Sequence, residues 1–168
     1  MKFIARLLAI SILIGICFEG VSQTARLKRA NALFEAGGYF EAVEIYRRDL
    51  DKVSREEMGF YLNRIADCYR LVGNARQAEI WYAKAVNREG VDPKAFFYYA
   101  EMLKMGEKYD EAIEQYQKYK QLVPNDPLTD VGIKSCELAK QWKESPSGYE
   151  LVNMRAINSR QSDFSPAY

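Results

Sequence analysis

Small and bulky apolar residues recur along this chain at helical spacing, and the helical blocks themselves recur. Ala42, Ile45 and Tyr46 share one helical face; the set returns as Ala78, Trp81 and Tyr82, and with one change as Ala112, Gln115 and Tyr116. The step is 36 residues and then 34. Upstream of each set a small residue and a larger one keep the same phase: Ala30 and Leu33, Ala66 and Tyr69, Ala100 and Leu103. Each block therefore predicts two helices, with a small residue on each where they touch and a larger one beside it. Gly37-Gly38, Gly73-Asn74 and Gly106 fall between them, where positive φ makes a tight turn cheap. Val123-Pro124 stops the third block. Beyond it Val131, Ser135, Leu138, Ala139 and Trp142 predict a further helix over Thr129–Lys143, N-capped by Thr129 or Asp130. Cys136 falls in the slot that holds Ala100 one repeat earlier.

Blocks of this length with small residues at the helix contacts resemble the tetratricopeptide repeat (TPR). Residues 23–144 are similar to a TPR array of three helix pairs plus a capping helix, so the expected fold class is an all-α solenoid. Such a unit cannot bury its face alone, so stacking and a terminal cap are required. The chain departs from the pattern at Arg26 and Arg29, where apolar residues are expected, at Ala75 in place of an aromatic, and at Glu107 in place of a glycine. The resemblance implies a non-enzymatic scaffold that binds other proteins.

The two ends are of different character. Lys2 and Arg6 precede an uncharged apolar run of 12 residues, Leu7–Phe18, and Gly20-Val21-Ser22 supplies the small residues of a cleavage site between Ser22 and Gln23. Residues 1–22 read as a signal peptide of an exported protein, too short in its apolar run for a comfortable membrane span. Cys17 closes the run and offers a competing lipidation site, although Ile16 stands where a lipoprotein box has a small residue. At the other end, Ser145-Pro146-Ser147-Gly148 breaks the helical pattern and short β-prone pieces follow. Asn158-Ser159 with Ser162–Tyr168 resembles the opening of a WD-like β-propeller of the TolB type. In order, the chain resembles the N-terminal part of Bacteroidota envelope proteins in which signal peptide, TPR array and propeller are followed by an OmpA-like domain, some of them associated with type IX secretion or gliding. That resemblance implies a periplasmic or outer-membrane location, and makes residues 145–168 a linker and the start of a truncated propeller.

Charge and chemistry change this picture little. Without residues 1–22, 24 basic and 23 acidic residues become 22 and 22, and no basic stripe invites nucleic acid. Cys68 and Cys136 lie two helix pairs apart, too far for a disulfide, and read as small buried thiols. The chain has no histidine, no glycine-flanked serine and no phosphate-cradling loop, so no catalytic residue, cofactor, metal or small-molecule substrate is expected. The 12 tyrosines and 2 tryptophans read as core, and the acidic groups Asp49-Leu50-Asp51, Glu56-Glu57 and Asp110-Glu111 as helix starts and outer faces.

The partner expected is a protein or peptide in the envelope, with membrane association only through lipidation or other domains. Its groove is the concave face formed by the first helices: Leu27, Asn31 and Phe34; Asn63, Asp67 and Arg70; Lys94, Phe97, Glu101 and Lys104. Asn31 and Asn63 would bond a partner backbone, and Phe34 and Phe97 would pack on its side chains. The carboxylate clamp of chaperone-binding TPRs is not matched, because Leu27, Arg64 and Tyr98 stand where that clamp has Lys, Asn and Arg.

Overall fold

A computed structural model of the chain describes residues 24–146 and 148. Residues 1–22, expected to be a signal peptide with Cys17 as a competing lipidation site, and the stretch expected to open a propeller lie outside the described residues. Seven α-helices and one short 3-10 turn follow one another: α1 (24–35), α2 (Tyr39–Asp49) with the 3-10 turn Leu50–Lys52, α3 (Arg55–Leu71), α4 (Ala75–Ala85), α5 (Lys94–Met105), α6 (Tyr109–Leu122) and α7 (Pro127–Glu144). Among the described residues there is no strand.

The helices pair α1 with α2, α3 with α4 and α5 with α6, and each pair packs on the next. The small residues lie at the crossings: Ala30, Ala66, Ala100 and Cys136 on the first helices, and Ala42, Ala78 and Ala112 on the second, are all 0% exposed. Any larger side chain there would hold the helix axes apart. Tyr46, Tyr82 and Tyr116 are equally enclosed. Cys68 and Cys136 are buried and free.

Local chemistry sets the helix limits. Ser54 and Glu57 form a reciprocal capping box on α3, with Glu57 N–H donating to Ser54 Oγ at 3.3 Å and Ser54 N–H to Glu57 Oε2 at 3.2 Å. Asn74 caps α4 through Gln77 N–H at 3.1 Å. Gly37 and Gly73 take the left-handed backbone of the first two turns, φ 82° and 77°. In the third turn Gly106 does not; Glu107 holds that position at φ 60°, against the usual preference for glycine.

Of the departures from the repeat, Arg29 is exposed, whereas Arg26 is tied to the interior. Arg26 is not exposed in place of an apolar residue: its Nε–H donates to both carboxylate oxygens of Asp49, at 2.9 and 3.2 Å. Asp49 is 0% exposed, so it belongs to the interior and not to the solvated outer face expected of it. Ala75 lacks the ring that Tyr39 and Tyr109 supply in the flanking repeats. It borders an open notch of about 330 Å³ beside Met102 and Met105.

The last helix differs from expectation in start and in face. Asp126 is its N-cap, accepting from Leu128 N–H at 3.0 Å, with Pro127 in the first turn. Thr129, expected as a cap, is 0% exposed inside the contact. The face turned to α6 is Thr129, Gly132 and Cys136. Gly132 decides this, because a Cβ there would lie 2.5 Å from Tyr116 Cζ, so only glycine lets the enclosed tyrosine ring sit against the helix. Val131 and Trp142, expected on the packed face, are 64% and 68% exposed.

Candidate protein-binding surface

In each of the three repeats a matching hydrogen bond ties the first helix to the second. Tyr46 Oη donates to Asn31 Oδ1 at 2.7 Å, Tyr82 Oη to Asp67 Oδ1 at 2.6 Å, and Tyr116 Oη to Glu101 Oε1. Donor and acceptor are 15 residues apart in every case. The repeat thus places an acceptor directly after each small residue Ala30, Ala66 or Ala100, aimed at the enclosed tyrosine of the next helix. Burial raises the pKa of all three hydroxyls far above the usual tyrosine value, and the carboxylates of Asp67 and Glu101 add to it in the second and third repeats, so the hydroxyls stay protonated donors.

In the second repeat the bond grows into a network. Arg70 donates from its other guanidinium nitrogen to Asp67 Oδ1 at 3.0 Å and from Nε to Tyr82 Oη at 2.9 Å. Its guanidinium carbon sits 3.9 Å from the centre of the Tyr98 ring. Burial opposes the charge of Arg70, but Tyr82 and Asp67 outweigh it and raise its pKa. Asn63 Nδ2–H donates to Asp67 Oδ2 at 3.3 Å. In the third repeat Lys104 Nζ donates to Glu101 Oε1 at 2.8 Å, and Phe97 packs edge-on to Tyr116 with ring centres 5.6 Å apart.

The residues expected to line a groove are therefore brought together in repeat-by-repeat clusters, and most of their polar atoms face one another. Asn31 Oδ1 accepts from Tyr46 Oη, and Asp67, Arg70, Glu101 and Lys104 are partnered within the fold. Phe34 meets the guanidinium of Arg64 at 4.4 Å from its ring centre, and Phe97 is half-buried against three tyrosines. Leu27 is half-buried and Lys94 is exposed.

An open place adjoins these clusters in the second repeat. Beside Asn63, Arg64 and Asp67 lies a cavity of about 430 Å³, also lined by Phe60 and by Val91, Asp92 and Pro93. Its second wall is the loop joining α4 to α5. That loop comes close because residue 59 is glycine: a Cβ there would lie 2.6 Å from the Glu89 carbonyl oxygen. Gly90 turns the loop at φ 70°, and Asp92 fixes its end by accepting from Lys94 N–H at 2.9 Å. Arg64 stands between the rings of Phe34 and Phe60, 4.4 and 5.4 Å from their centres. Asn63 Oδ1 is buried and accepts no hydrogen bond from the protein.

Sequence reasoning named Asn63 and Asp67 of this cavity but not Phe60, Val91, Asp92 or Pro93. The loop residues fall outside the helix periodicity that carried the argument. Phe60 sits one turn before Arg64 and could have been found by asking what that arginine packs on. Arg64 and Tyr98, which interrupt a clamp-like pattern, are both engaged in cation–π contacts.

No model of a known protein family matches this sequence. The backbone is similar to several solved TPR domains. The Yersinia enterocolitica type III secretion chaperone SycD, in complex with a peptide of the translocator YopD, matches with TM-score 0.61 at 16% identity, over 70% of this chain and 93% of that one. The second TPR domain of human RPAP3, in complex with the HSP70 peptide SGPTIEEVD, gives 0.60 at 22%, over 68% and 95%. The Sgt2 TPR domain from Aspergillus fumigatus gives 0.59 at 20%, over 83% and 94%. At these identities the likeness is one of fold: the described residues form an all-α TPR solenoid.

Proposed function

We propose that this chain is a non-enzymatic protein-binding scaffold that holds a peptide segment of a partner against its first helices, centred on the second repeat. The observation that carries this reading is the open cavity of about 430 Å³ between α3 and the α4–α5 loop, lined by Phe60, Asn63, Arg64 and Asp92. Phe60 and the stem of Arg64 supply apolar surface, and Asp92 and Asp67 give the cavity acidic walls. Peptide complexes of SycD and RPAP3 support the reading by analogy of fold.

Our reading of the chain's ends places this scaffold in a bacterial envelope, exported by residues 1–22, periplasmic or bound to the outer membrane. The test is affinity capture from cells of the native host. Asn63→Ala and Arg64→Glu should each lower recovery of the co-purifying partner at least tenfold, leaving the helical content unchanged. Equal recovery from both variants and the unmodified chain overturns the site.

A further inference from the structure

Three large apolar side chains stand out on α7: Leu128, Val131 and Trp142 are 57%, 64% and 68% exposed. With the half-buried Leu138 they fall within about 80° of arc at 3.6 residues per turn, roughly a third of a turn round the helix from Gly132 and Cys136. An α7 that only capped the solenoid would be polar on this side. Nothing among the described residues covers it.

We propose that this face is the seat of residues 149–157 of the same chain, folded back along α7. The dimensions agree. The 18 residues of α7 span about 27 Å at 1.5 Å each, and nine extended residues span about 30 Å. The breaker sequence Ser145-Pro146-Ser147-Gly148 separates the two and permits the chain to reverse. Extended, the segment puts Tyr149, Leu151 and Ile157 on one side, three apolar side chains to meet the stripe. A second copy of the chain fits less well. One helix face about 27 Å long and 10 Å wide offers a footprint of roughly 270 Å², against the roughly 800 Å² per partner of a stable interface. Seating residues 149–157 here returns Asn158, where the propeller-like stretch opens, to the beginning of α7.

Trypsin supplies the test, because Arg155 lies inside the segment and Arg160 just beyond it. In the full chain, Arg155 should be cut at least tenfold more slowly than Arg160, each rate normalised to the denatured chain. In the double variant Val131→Asp with Trp142→Asp the two rates should become equal. Both altered residues are exposed, so the helical circular dichroism should stay unchanged. Leu151→Asp should have the same effect from the other side. Equal cutting in the unmodified chain, or a ratio that the double variant leaves unaltered, overturns the proposal. A ratio that collapses on dilution, as light scattering reports a dimer separating, overturns it in favour of a second copy.

Discussion

The two ends of the solenoid reverse the usual rule of burial. At the first, α1 and α2 enclose a carboxylate, Asp49, and pair it with Arg26; at the other, α7 leaves Val131 and Trp142 in solvent. The second repeat also encloses a carboxylate, Asp67, but Arg70 and Tyr82 hold it between two packed repeats. A terminal helix meets a neighbouring repeat on one side only, so the chain is free to place there what the pattern forbids. The inverted burial has opposite meanings at the two ends. Asp49 is satisfied within the described fold, whereas the α7 stripe is not.

The sharpest way to break this contrast is Arg26→Ala, which leaves Asp49 buried without its cation. It should cost about 3 kcal/mol or more in a urea unfolding series. A loss below about 1 kcal/mol would mean that Asp49 is no more enclosed than a surface carboxylate. At the other end the two faces of α7 should respond in opposite fashion. Gly132→Ala drives a methyl into the Tyr116 ring and should cost about 1–3 kcal/mol, while Val131→Ala should change stability by less than about 0.5 kcal/mol.

The hydroxyl bonds of the interior can be ranked between these limits. Tyr82→Phe removes a donor from a buried carboxylate and should cost about 1.5–3 kcal/mol, whereas Tyr46→Phe takes one from an amide and should cost about 1 kcal/mol. Equal losses would show that the charged network of the second repeat adds nothing. Alkaline titration tests the same interior. Burial, with the Asp67 charge second, pushes the Cys68 thiol up to about 12. A raised pKa means that the folded state holds its proton more tightly than the unfolded one. That contribution is complete below about pH 8.5, where an unfolded thiol titrates, and is lost as pH rises towards 12. Between pH 9 and 10 the stability of Cys68→Ala should fall less steeply than that of the unmodified chain, because tyrosine ionisation is common to both. Of opposite sign should be Glu107→Gly, which relieves a left-handed side-chain residue and should gain up to about 1 kcal/mol despite losing the exposed pair with Lys143.

The solenoid was largely legible in the sequence. Its small residues Ala30, Ala42, Ala66, Ala78, Ala100 and Ala112 can sit only at helix crossings, and all are enclosed. What periodicity could not settle was the choice between adjacent arcs of one helix. Val131 and Trp142 recur at helical spacing as faithfully as Gly132 and Cys136, and only the fit of the Tyr116 ring on a missing Cβ separates them. The groove shows the same limit. Spacing brought Asn31, Asp67 and Glu101 to one side of the array, but they answer to tyrosines one helix on. The cavity beside Asn63 depends on a loop held close by Gly59, and no repeat encodes that approach.

Site-specific photocrosslinking in the native host tests the central proposal most directly. A photoreactive residue is placed in turn at Phe60, beside the cavity, and at Glu44, exposed on the second helix of the first repeat. The account predicts adducts with another protein from position 60 and none from position 44. Adducts from position 44 with none from position 60 would contradict it.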